Sequence, residues 1–79
     1  GALNAARKET MMIKKNLLKA ELVKNNYSYA DVASWLGKSK TAVSRRLNGE
    51  VPIDIVEIDI ICKKLNLTNE QGGEIFVGD

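Results

Sequence analysis

Two consecutive stretches, Ser28–Gly37 and Ser39–Gly49, each open on a serine and close on a glycine. A serine hydroxyl can accept from the free amides that begin a helix, and glycine takes the left-handed conformation that ends one. The spacing therefore predicts a helix over Tyr29–Leu36, burying Val32, Ala33 and Leu36, and another from Lys40 to about Asn48. The two meet across a tight turn at Gly37. Asp31 adds negative charge at the positive end of the earlier helix.

The flanks read as more helix. Ile13, Leu17, Leu18, Leu22 and Val23 recur at three- and four-residue steps, predicting an amphipathic helix from Met12 to about Lys24 that stops at Asn25-Asn26, with Tyr27 as an apolar plug. Glu50-Val51-Pro52 is a loop. Asp54-x-x-Glu57 then supplies capping chemistry for a helix carrying Ile55, Ile58, Ile61, Cys62 and Leu65 and stopping at Asn66. Thr68-x-x-Gln71 has the form of another capping box, but Gly72-Gly73 opposes a fifth helix by about 1 kcal/mol per glycine. The apolar tail Ile75-Phe76-Val77 is open to two uses, closing over the core or meeting a second subunit. Residues 1–10 read as an appended leader or as a basic arm carrying Arg7 and Lys8, and 11–79 as one domain. The expected fold class is all-α, a compact domain of four to five helices.

Composition narrows what such a domain can do. With 79 residues, 44% hydrophobic and 28% charged, the chain suits one small globular core and has no room for a large active-site cavity. Histidine is absent and Cys62 is the single cysteine, which argues against disulfide frameworks, Cys/His metal sites and cysteine–histidine catalysis. No spacing assembles nucleophile, base and orienter, so no catalytic residue, cofactor or metal is expected. No apolar run approaches a membrane span or a signal peptide's core, and a lone thiol suits a reducing compartment, so a soluble cytoplasmic protein acting by binding is expected.

The net charge of +2 conceals a division. Residues 1–49 hold ten cations against three acids, a net +7, while residues 50–79 hold two against seven, a net −5. Between Asp31 and Glu50 the cations Lys38, Lys40, Arg45 and Arg46 meet no acid, a footprint suited to a polyanion or merely to a solvated face.

Ala33 is small where the two short helices would approach, Gly37 permits the turn, and Val43 can reach back beside Ala33. The run from Leu36 to Gly49, followed by Pro52 and an aliphatic helix ending Lys64-Leu65-Asn66-Leu67, resembles the DNA-binding helix-turn-helix of the Cro and repressor type. The resemblance covers about Met12 to Leu67. It implies a lambda-repressor-like domain, a double-stranded DNA operator as partner, a homodimer, and neither membrane nor small-molecule ligand. The ending Glu74-Ile75-Phe76 is most similar to short phage-encoded Cro-like regulators. By the same resemblance Lys40, Thr41, Ser44 and Arg45 reach base edges, and Ser28, Tyr29, Lys38, Ser39, Arg46 and Asn48 sit on phosphates. Spacing alone puts Lys40, Thr41, Ser44 and Arg45 on one face of the helix and Val43 with Leu47 on another.

Two residues depart from the family pattern. Arg46 stands where an apolar residue is usual, so Leu47 would take the core role and Arg46 would either reach phosphate or fold its stem over the core. Leu47 itself replaces a common glutamate. Elsewhere, Ser28 and Ser39 are caps whatever else they touch, and Trp35 is a core-edge packer or an interface anchor. Core packing is expected to claim Ile55, leaving Ile53 or Val56 for a dimer contact. Lys14 and Lys15 read as a solvated face, and Cys62 as a small buried hydrophobe. The competing reading keeps the helices as a protein-interaction module, antitoxin-like or an adaptor, without base readout.

Overall fold

The serine and glycine signals act as their chemistry requires. In the computed structural model, which describes residues 10–78, Ser28 caps Tyr29–Leu36 and Ser39 caps Lys40–Leu47. The chain order is β1 (Thr10–Ile13), α1 (Lys15–Lys24), α2 (Tyr29–Leu36), α3 (Lys40–Leu47), β2 (Ile53–Asp54), α4 (Ile55–Leu65), α5 (Asn69–Ile75) and β3 (Phe76–Gly78). The fold is a small all-α domain of five helices with a minor sheet. Gly37 adopts φ 65° to end α2, and Asn66 does the same for α4 at φ 54°. Asp54 and Glu57 cap α4 reciprocally, as Thr68 and Gln71 cap α5.

One core joins these elements. Val32 and Ala33 of α2, Val43 and Leu47 of α3, and Ile61 and Leu65 of α4 are buried together with Leu18 and Leu22 of α1. Leu17 and Val23, also apolar, stay exposed, so the buried stripe of α1 is narrower than its composition predicts.

The sheet is the feature that helical periodicity did not anticipate. Its order is β2-β1-β3, all antiparallel, with Met11 opposite Ile53 and Ile13 opposite Phe76. Met12 and Ile13, expected to start the first helix, are therefore strand residues. Lys14 occupies the N-cap of α1 without a side-chain bond, and its own N–H donates to the Ile75 carbonyl at 2.8 Å, which ties this residue to the end of α5. Of the segment 1–10, Thr10 is the first residue of β1, and residues 1–9, with Arg7 and Lys8, lie outside the described residues.

The same pairing corrects the expected role of Ile55. Held in β2, Ile53 is 1% exposed, whereas Ile55 is 40% and Val56 67% exposed, so the core takes Ile53 and leaves Ile55 and Val56 at the surface. The tail closes over the core, with Ile75 and Phe76 buried. The fifth helix forms despite its glycines because its capping box holds the start and Ile75 with Phe76 anchors the end. Gly72 faces α4 closely enough that an added Cβ would lie 3.4 Å from the Cys62 Sγ. Cys62 itself is half-buried against the core; burial pushes its thiol pKa up, and the Asp59 carboxylate adds to the rise. Among the described residues no helix is long and apolar enough to cross a membrane, and no cluster of side chains has the makeup of a metal site.

Candidate nucleic-acid interface

The turn between α2 and α3 is set by one backbone bond and one side-chain cap. Lys38 N–H donates to the Ala33 carbonyl at 3.1 Å, closing the helix end around Gly37, and Ala42 N–H donates to the Ser39 Oγ at 3.1 Å to open α3. Ala33 and Val43 are both buried in the one core cluster that α2 and α3 share. The inward side of α3 is Val43 and Leu47, at 0% and 2% exposure, so Leu47 takes the core role. With that side fixed, Lys40, Thr41 and Arg45 are exposed on the opposite one, and Ser44 lies half-buried at its edge. Together with Glu50 these four line a shallow concavity along the outer side of the helix.

Arg45 and Lys40 form no ion pair among the described residues, so both cationic heads are available to a ligand. Ser44 Oγ accepts from the Asn48 side-chain amide at 3.2 Å, tying the edge of this face to the helix C-cap. The free N–H groups of the first turn and the N-terminal end of the helix dipole favour an anion beside Ser39 and Lys40.

The residues expected on phosphates are placed unequally. Lys38, Ser39 and Ser28 are exposed, and Asn48 is half-buried. Ser28 is heavily engaged at home: its N–H donates to Asp31 Oδ2 at 2.7 Å and its hydroxyl contacts the same oxygen at 3.2 Å. Tyr29 turns its hydroxyl inward, where it has no partner among the described residues, so the side chain offers no donor at the surface of that helix end. Arg46 folds over the core edge. Its Nε donates to Glu57 Oε1 at 3.1 Å and its terminal nitrogen to the Ala42 carbonyl at 3.0 Å. Trp35 packs against the core and meets Tyr27 edge-on, with ring centroids 4.8 Å apart.

Two residues at this site were not singled out from sequence as functional. Glu57 is buried at 5% exposure, yet it accepts from Arg46, accepts from Asp54 N–H at 3.3 Å, and presents Oε2 to the Lys38 ammonium at 3.5 Å. One carboxylate thus joins the turn, α3 and the start of α4. Its signal lay in Arg46: a cation at a position that faces the core needs a buried acid. Glu50 is the other, an exposed acid set beside the cationic face by its N–H bond to the Arg45 carbonyl at 2.9 Å.

Comparison with known proteins agrees with this geometry. The helix-turn-helix family model of Cro/C1 type matches residues 18–70, about two thirds of the chain, from within α1 into α5. No curated protein and no solved structure matches. The matched span contains both short helices, the Gly37 turn and the exposed face of α3, and the chain belongs to the Cro/C1-type helix-turn-helix family of DNA-binding regulators.

Proposed function

We propose that this chain is a sequence-specific transcriptional regulator, a phage or prophage Cro-like repressor that binds a two-fold operator as a homodimer in the cytoplasm of its host. The observation that carries the reading is the exposed face of α3, where Lys40, Thr41 and Arg45 stand clear of their own chain. A helix laid in the major groove reads bases from such a face: Arg45 and Lys40 donate to guanine O6 and N7, and the Thr41 methyl meets a thymine methyl. Ser44, half-buried, reads from the edge. Lys38, Ser39, Asn48 and the Tyr29 amide hold phosphates on either side. Ser28 contributes less than these, because Asp31 already occupies its donors, and Arg46 acts mainly through Glu57.

Dimerisation follows from specificity. One module touches few base pairs, and two placed on half-sites about 34 Å apart supply the discrimination a genome demands. Ile55 and Val56, exposed at the start of α4, offer apolar surface for that contact. Selection of bound duplexes from a random pool tests the reading: a recovered inverted repeat is expected, with affinity falling steeply as salt rises. A protein that binds no duplex at low salt would favour the interaction-module reading instead.

A further inference from the structure

Beside the outer side of α3, just past its C-terminal end, stands one group of the wrong sign for simple phosphate binding. Glu50 lines the same shallow concavity as Lys40, Thr41, Ser44 and Arg45. Its backbone is fixed: Gly49 turns the chain at φ 76°, and Glu50 N–H donates to the Arg45 carbonyl at 2.9 Å. Its carboxylate is exposed and makes no hydrogen bond or ion pair among the described residues. The contrast with Glu57, which neutralises Arg46 and faces Lys38, is direct.

We infer that Glu50 is a specificity-determining residue that accepts a hydrogen bond from the exocyclic amino group of a cytosine, next to the base read by Arg45. The inference rests on the DNA-reading assignment of α3 and deepens it. Lys40 and Arg45 can only donate, so they distinguish bases by acceptors such as guanine O6 and N7. A carboxylate can only accept, and cytosine N4 is the major-groove donor that Asp and Glu typically read. A donor set flanked by one acceptor reads both kinds of edge, whereas cations alone would also bind any phosphate they met. The same negative charge penalises placements that bring Glu50 against the backbone, which lowers affinity for wrong sequences.

Duplex selection from a random pool with the wild type, Glu50→Ala and Glu50→Gln tests this, with titrations on the recovered duplex and on random duplex. Thermal melting of each variant confirms that it is folded. The expected result is a cytosine preference at one position in each half-site, reduced about ten-fold in Glu50→Ala and shifted toward adenine in Glu50→Gln, because glutamine pairs bidentately with adenine N6 and N7. Other positions keep their preference. If both variants select the same sequence as the wild type and bind every duplex more tightly by one common factor, Glu50 only repels phosphate and the inference is overturned while DNA reading stands. A wild type without sequence preference overturns both.

Discussion

Arg45 and Arg46 are adjacent and chemically identical, yet α3 sends them to opposite environments. Arg45 stands on the exposed side with no ion pair among the described residues, while Arg46 lies over the core edge with its Nε on Glu57. The outer side of the helix thus holds charge the fold does not spend, and the inner junction holds charge that is tied down. The difference teaches that a run of cations in a sequence overstates the surface offered to a polyanion: of Lys38, Lys40, Arg45 and Arg46, one is paired with a buried acid and another faces it at 3.5 Å. It also explains how a helix can carry two arginines beside a closed core. Glu57 neutralises the inner one, and Leu47 replaces the apolar packing that Arg46 cannot provide.

Substitutions that attack the two sides separately should have separable effects. Glu57→Ala strikes the inner side hardest, since it leaves Arg46 without its counter-charge and strips a capping bond from α4; a loss of about 3 kcal/mol in urea unfolding is expected. Arg46→Leu/Glu57→Gln should recover most of that loss, because the buried charges go together and glutamine can still accept from Asp54 N–H. A double variant as unstable as Glu57→Ala would show that the ion pair is not the source. Arg45→Ala should leave unfolding within about 0.5 kcal/mol of the wild type while costing about 1–3 kcal/mol of specific DNA binding. If it destabilised the domain as Glu57→Ala does, the division between the sides would be lost. Gly73→Ala, in a helix position with open space around it, should add about 0.5–1 kcal/mol of stability without touching DNA affinity. Lys38→Ala is the mildest. Its ammonium is part exposed and 3.5 Å from Glu57, so a stability change of about 0.5 kcal/mol is expected, with the larger effect on the salt dependence of binding.

The sequence was most legible where local chemistry decides structure. Serine at an N-cap, glycine at φ 65° and a reciprocal Asp54/Glu57 box each act within three or four residues, so α2, α3 and α4 could be placed closely before any contact was known. The sheet was illegible for the opposite reason. Met11–Ile13 is too short a run to reveal a period, and it becomes a strand only because Ile53 and Phe76, distant in sequence, lie on either side of it. The exchange of Ile53 for Ile55 in the core follows from that pairing. At the site, the exposed side of α3 came from helical spacing and family resemblance together. The partner of Arg46 could not be read that way, because Glu57 lies eleven residues on, across a loop whose path only the folded chain reveals.

The central claim is that the outer face of α3 reads duplex DNA, and Lys40→Ala/Arg45→Ala tests it most directly. Titrated by fluorescence polarisation against the selected duplex and a scrambled one, with its melting temperature measured in parallel, the double variant should melt as the wild type does. It should also lose the difference in affinity between the two duplexes. Undiminished discrimination in a folded double variant would place recognition elsewhere on the molecule.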